Sequence, residues 1–373
     1  PMVDLRSLGS ADPAQLRAEI DKVVDQFGFE TIERAVNWLT IKESKASFTI
    51  ESEGREEGRI RRLARAMSTH CGKIESALTQ EGMLEIQQAV MGDKMVGARL
   101  GIRRSPVFVG HTNSIFEPVI DYLAPHHERV PEMMEGLRAF EQRTRGQNPL
   151  LRAAALSFGF VYIHPLSDGN GRLSRFLIND ILGRDGFLPA PVILPVSAVI
   201  SENATRRAAY DTALEHLSRP LMAMMNAVCK FGATVQHEDG VESNLHVADW
   251  HRGLATWRYA DLTFQSEYLV DVIRHSILHG LKDEAVYLRR YDIAVGSLKE
   301  IIEGRDEDYA TIIRSLVTNL KVSAKLRKTY PGVFSDEGLV KRVERAVFKA
   351  FELLHDDGDD DDEAVPRLDV VAR

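Results

Sequence analysis

Residues His164-Pro165-Leu166-Ser167-Asp168-Gly169-Asn170-Gly171-Arg172-Leu173-Ser174-Arg175 place a base, a carboxylate, a glycine turn and two guanidiniums side by side. An imidazole, with an ordinary pKa of about 6.5, serves as a proton acceptor near neutrality. A Gly-Asn-Gly turn feeding a helix presents backbone N–H groups and the positive end of the helix dipole, which together make an anion site. Arg172 and Arg175, three residues apart, add permanent cations on neighbouring helical faces. Asp168 stands where the turn begins, and a carboxylate beside phosphates is the usual protein ligand of Mg²⁺. Any one of these features suits an ordinary helix connection with a capping Asp and solvated arginines. The full set describes phosphoryl or nucleotidyl transfer.

The flanking elements must hold this loop. Asn148-Pro149 caps a helix whose buried side is Leu150, Leu151, Ala154, Ala155, Phe158, Val161 and Tyr162. It stops at His164, because Pro165 disfavours helical backbone at the residue before it. Leu173, Phe176, Leu177, Ile181 and Leu182 mark a second helix, running to about Gly183. Upstream, Pro106–Gly110 is apolar and β-prone, His111–Ser114 is turn-like and Ile115-Phe116 follows, so a β-hairpin is expected over 106–116. It is the one convincing strand signal in the chain.

Elsewhere the spacing predicts helices: residues 12–40, a break-ridden stretch from Gly58 to Val96, Pro131 to about Arg145, Ser201 to about His216, and 221–232. Residues 236–247 read as a polar linker. The expected organisation is N-terminal helices over 1–40, a catalytic core over 41–235, a helical accessory domain over 248–354 and a disordered acidic tail over 355–373. The expected fold class is all-α, with one small hairpin. Among the aromatics, Trp250, Trp257, Tyr259 and Phe264 read as packing, and His126-His127 as an exposed pair.

The chain has 373 residues and a formal net charge of −8. Asp356–Glu363 alone carries seven acidic residues, and without them the balance is −1. A nearly neutral folded part gives no indication of nucleic-acid binding. The two cysteines, Cys71 and Cys229, are far apart, which fits a reducing, cytoplasmic setting. The most apolar stretch, Ala190–Ile200, is too short to span a bilayer, and no secretory signal is read at the N-terminus. The chain opens at Pro1-Met2, which leaves room for it to be a piece of a longer protein.

The loop resembles the motif HxFx(D/E)GNGRxxR of Fic-domain proteins, with Leu166 standing where the family has a packing Phe. The resemblance extends over about 40–235. It implies a helical Fic-type bundle with a hairpin flap that moves AMP from ATP to a Ser, Thr or Tyr hydroxyl of a target protein. Carried over, His164 deprotonates the target, Asp168 holds Mg²⁺, Gly169, Asn170 and Gly171 bind phosphates, and Arg172 and Arg175 clamp the β- and γ-phosphates. The flap, with Val107, Phe108, Val109 and Gly110, pairs with the target backbone as an added strand. Removal of AMP, transfer of UMP, phosphate or phosphocholine, and nucleotide binding without turnover are the alternatives. Self-modification and a homo-oligomer fit the same resemblance.

Many Fic proteins also carry an inhibitory helix with the pattern (S/T)xxxE(G/N), whose Glu pairs with the second motif arginine, here Arg175. Two registers fit near 44–54. Ser47-Phe-Thr-Ile-Glu51-Ser52 keeps an Ile before the Glu but has Ser for Gly, whereas Thr49-Ile-Glu-Ser-Glu53-Gly54 matches the pattern literally. Glu51 is preferred, with Glu53 as the alternative. Either carboxylate, set opposite Arg175, competes with a terminal phosphate for one guanidinium fork.

Overall fold

Helices dominate because the sequence repeatedly sets a capping side chain ahead of an apolar run of helical period. Asp12 accepts from Ala14 N–H at 2.9 Å, Thr79 from Gly82 N–H at 3.0 Å, Asn148 from Leu150 N–H at 3.0 Å and Asn203 from Arg206 N–H at 3.0 Å. A computed structural model describes residues 3, 12–51, 57–73, 76–92, 100–114 and 116–353. Glu53 and the acidic tail lie outside the described residues.

In chain order the elements are α1 (Pro13–Phe27), α2 (Phe29–Ile50), α3 (Glu57–His70), α4 (Gln80–Met91), β1 (Phe108–Thr112), β2 (Pro118–Leu123), α5 (Val130–Arg143), α6 (Pro149–Ile163), α7 (Asn170–Arg184), α8 (Val196–Ile200), α9 (Ala204–Met225), β3 (Cys229–Gln236), β4 (Glu242–Val247), α10 (Leu254–Arg258), α11 (Thr263–His275), α12 (Lys282–Lys299), α13 (Asp306–Asn319), α14 (Ala324–Thr329), α15 (Pro331–Phe334) and α16 (Glu337–Ala350). The fold is helical with two small two-stranded antiparallel sheets among the described residues. No helix of the described residues is long and apolar enough to cross a membrane.

The chain forms two compact units, Pro1–Lys282 and Asp283–Arg373. In the first unit, Pro1–Lys282, α6 is the central element. It is buried on nearly every side, from Leu150 through Phe160 to Ile163, as a helix apolar all round must be. Helix α7 packs along it. At the far end from the loop, Arg152, 2% exposed on α6, donates to Glu141 O at 2.7 Å and to Asp185 Oδ2 at 2.6 Å, tying α5, α6 and the end of α7 together. Helix α2 buries polar residues on its inner side. Thr40 and Ser44 return their hydroxyls to Val36 O at 2.7 Å and Thr40 O at 2.8 Å, which lets them sit without outside partners. The second unit, Asp283–Arg373, has a core of its own, built from Leu298, Tyr309, Ile313, Leu316, Val343 and Val347.

Three expectations change. The first hairpin runs later than 106–116: Phe108 pairs with Leu123 and Thr112 with Pro118, with a bulge at Val109/Gly110. Pro118 opens β2 at its edge, a position where a missing N–H does no harm. Residues 229–247 are neither helix nor linker but the hairpin β3–β4, in which Cys229 pairs with Val247 and Gln236 with Glu242. Most of β3 faces solvent, so it needs no apolar alternation and shows none. Helix α9 runs through Pro220, where a boundary between two helices was expected.

Candidate active site

The loop starts where α6 is forced to stop. His164 takes a left-handed backbone (φ 51, ψ 57), and its N–H still closes the helix on Phe160 O at 2.9 Å. The ring folds back, with Nδ1 lying 2.9 Å from Val161 O. A carbonyl only accepts, so Nδ1 carries the proton and Nε2 keeps its lone pair. Burial pushes the His164 pKa down to about 4, while the Val161 contact and the Glu51 carboxylate work against that shift and Arg103 adds to it. The imidazole is therefore neutral and aimed, as a general base must be.

Asn170 fixes the loop's span. Its Oδ1 accepts from Leu166 N–H at 2.9 Å and its Nδ2 donates to Leu166 O at 2.7 Å. The Asn170 side chain is thus spent on the loop, and only its backbone is offered to an anion. Leu166 is fully buried, doing the packing expected of the Phe it replaces. Gly169 sits at φ 89, a left-handed value that glycine adopts without strain. Leu173 N–H donates to Gly169 O at 2.9 Å, so the amides of the turn before it lie outside the helical ladder. Gln87 of α4, which the sequence reading did not single out, straps the turn from outside. It donates to Asp168 O at 3.0 Å and accepts from Gly101 N–H at 2.7 Å.

Arg172 and Arg175 of α7 are buried, at 2% and 3% exposure. Arg172 donates to Asp168 Oδ1 at 3.1 Å, and its guanidinium lies over the Phe48 ring of α2 at 5.2 Å. Asp168 itself has a half-exposed side chain. Arg175 reaches α2. Its Nε donates to Ser47 Oγ at 3.0 Å and its Nη2 to Ser47 Oγ at 2.9 Å, to Ser47 O at 3.2 Å and to Glu51 Oε1 at 2.7 Å. Burial pushes the Glu51 pKa up, but Arg175, followed by Arg172 and His164, carries it below the ordinary value. A Cβ added to Gly171 would stand 2.1 Å from Glu51 Oε1, so the carboxylate lies against the glycine turn itself. Of the two registers, the structure sets Ser47 and Glu51 on Arg175. Glu53 lies outside the described residues.

The flap stands beside this loop. Val109 is 49% exposed on β1, and Phe108 packs edge-on against Phe231 of β3 at 5.6 Å. A Cβ at Gly110 would meet Val119 O at 2.2 Å, so the bulge requires glycine there. Trp257 Nε1 donates to Leu123 O at 3.1 Å and pins the end of β2. His126, His127 and Glu128 offer ligand atoms within 4.8 Å of one another; the two histidines are half-buried and not the exposed pair expected, while Glu128 is exposed. Burial lowers both histidine pKa values and Arg103 lowers them further, while the Glu128 carboxylate works against the shift.

A profile described as the Fic/DOC family matches residues 77–182. The protein adenylyltransferase fic-1 of Caenorhabditis briggsae is 36% identical over 126 residues, 33% of this chain and 22% of that protein. Its Caenorhabditis elegans counterpart is 33% identical over the same shares. The protein adenylyltransferase Fic of Nematostella vectensis is 32% identical over 33% of this chain and 26% of its own length. The chain thus matches about a quarter or less of these relatives. Among solved structures, a Fic family protein from Desulfovibrio desulfuricans G20 overlaps 92% of this chain and 84% of its own at 18% identity and a TM-score of 0.43. The matched span begins after α2, so the Glu51–Arg175 pair joins a residue outside it to one inside. The chain carries a domain of the Fic/DOC family, and the loop from His164 to Arg175 lies within it.

Proposed function

We propose that this protein transfers AMP from ATP to a hydroxyl of a Ser, Thr or Tyr in a target protein, and that Glu51 holds it in an inhibited state. The observation that carries the reading is the pairing of an aimed, neutral His164 with an anion site into which Glu51 is already folded. The terminal phosphates of ATP lie along the 169–172 turn with Arg172 and Arg175, which leaves the α-phosphate toward His164. A target segment added to the flap as a strand brings its hydroxyl to Nε2. Nε2 takes the hydroxyl proton as the oxygen bonds the α-phosphorus. The bond from that phosphorus to the bridging oxygen breaks, and pyrophosphate leaves.

Asp168 suits Mg²⁺, because its carboxylate is half exposed at the turn and its one resolved partner, Arg172, also faces phosphate. When bound, the ion would offset phosphate charge. The test is incubation with labelled ATP and Mg²⁺, comparing wild type, Glu51→Gly and Glu51→Gly/His164→Ala. Protein-bound AMP in the first variant that vanishes in the second is the expected result, and equal labelling in both defeats the reading. Removal of AMP is the second reading, favoured by the proximity of Glu51 to the site. It requires AMP release from a modified protein only when Glu51 is present.

A further inference from the structure

Arg103 is among the largest side chains that the chain buries completely, at 1% exposure, and it lies in an irregular stretch before the flap. Burial lowers its pKa, but only to about 10, so it remains a cation at neutral pH. Among the described residues, its three side-chain hydrogen bonds all go to backbone carbonyls. Nε donates to His164 O at 2.7 Å, Nη1 to Ser105 O at 2.8 Å and Nη2 to Pro125 O at 2.5 Å. Ser105 precedes β1 and Pro125 follows β2, so these are the two feet of the flap. The third acceptor is the peptide of the base itself. The backbone repeats the connection, since Arg103 N–H donates to Pro165 O at 2.9 Å and Ile102 pairs with Leu166.

The second hairpin holds the same irregular segment through Arg104 and Ser105. Asp239, buried at its turn, accepts from Arg104 N–H at 2.7 Å and from Ser105 Oγ at 2.7 Å through one oxygen. Glu238 pairs with Arg104 at 2.7 Å, and Phe231 meets Phe108. Three carbonyls in three directions call for a planar fork with spread donors, and the single ammonium of a lysine cannot span them. An arginine needed only for packing would have no reason to link the flap's feet to the catalytic loop.

We infer that Arg103 is a positioning residue: it sets the height of the flap over His164 Nε2, and Asp239 of the second hairpin holds the 103–105 segment in place. The inference rests on the transferase reading above. It makes alignment of the acceptor hydroxyl, and not affinity for nucleotide, depend on Arg103.

The experiment compares Arg103→Lys and Asp239→Ala with their parent, all in the Glu51→Gly background, using labelled ATP and Mg²⁺. Arg103→Lys is expected to lower protein-bound AMP by about ten- to a hundred-fold, as an ångström-scale misplacement does. The Kd for ATP, from calorimetry, should change by less than about two-fold, since uniform binding is untouched. In spectra of ¹³C-histidine protein, the His164 signal, identified by its loss in His164→Ala, should shift. Unchanged transfer overturns the inference, and so does ATP affinity falling in step with transfer. Should Arg103→Lys fail to fold, Asp239→Ala decides. A few-fold loss of transfer at unchanged ATP affinity and melting temperature supports the inference, and unchanged transfer with an unmoved His164 signal overturns it. If the parent itself transfers no AMP, the functional reading fails separately, and the shift or constancy of the His164 signal alone settles the positioning role.

Discussion

Arg175 Nη2 lies 2.7 Å from Glu51 Oε1 and 2.9 Å from Ser47 Oγ, so one guanidinium grips Ser47 in the last turn of α2 and Glu51 at its C-terminal cap. The same guanidinium is the fork expected to hold a terminal phosphate. Replacing Glu51 by Gly removes the competing carboxylate, and labelling by ATP should rise roughly ten-fold or more, the scale of one charge-assisted hydrogen bond. Ser47→Ala should raise it less, because Glu51 remains. Labelling that stays flat in both variants separates the contact from inhibition.

The pH dependence follows from His164. Its pKa in the folded chain is about 4, lowered chiefly by burial. The base must be neutral to act, so kcat/KM of the Glu51→Gly variant should hold steady from neutrality downward and fall only as pH drops through about 4. Glu51 is among the groups that raise this pKa, so its removal moves the limb lower, not higher. A limb near 6.5, the ordinary value, would mean an exposed base and a different site geometry.

A buried acid on α2 makes a separate claim about stability. Glu43 is 1% exposed and accepts from Ser197 N–H and Ser197 Oγ, both at 2.5 Å. Burial raises its pKa to about 7 from an unfolded value of 4.5. The folded chain then holds a proton that the unfolded chain releases, so stability falls as pH rises from about 4.5 to about 7. The loss attributable to this group is on the order of 3 kcal/mol. Glu43→Gln keeps the hydrogen-bonding shape without titrating, and chemical denaturation should show a flatter pH profile over that window. A profile parallel to wild type would place the titration elsewhere.

Asn170 supplies the fourth test. Its amide closes on both backbone groups of the buried Leu166. Asn170→Ala strands a buried N–H and a buried C=O, and each costs about 1–3 kcal/mol. The melting temperature should fall, and transfer should fall with it even in the Glu51→Gly background. An unaltered melting temperature would show that the loop holds its shape without the clamp.

The loop from His164 to Arg175 stands out in the sequence because the chemistry proposed for it demands residue types, spacing and a backbone that only glycine supplies. The helical class was legible from capping residues followed by apolar periods, as at Asn148 and Leu150–Tyr162. What could not be read were the residues that bind backbone. Arg103 and Gln87 serve carbonyls and amides, and nothing in a sequence distinguishes such a polar residue from a solvated one. Asp239 escaped for the same reason, although Asp239-Gly240 was itself the turn signal that could have revealed β3–β4. Strands exposed on most of their length carry no alternation to detect. The break expected between about His216 and residue 221 is absent because a proline's effect on a helix such as α9, which runs through Pro220, depends on packing that the sequence does not display.

Glu51 and Arg175 belong to one chain, so their meeting is a unimolecular event with a local concentration set by the fold. Dilution cannot loosen it, and its strength does not vary with how much protein a cell makes. A freely diffusing inhibitor would obey neither rule. Whatever relieves this contact must reach one of its two ends, by drawing α2 away, by neutralising Glu51 just past that helix or by taking Arg175 with nucleotide at high occupancy.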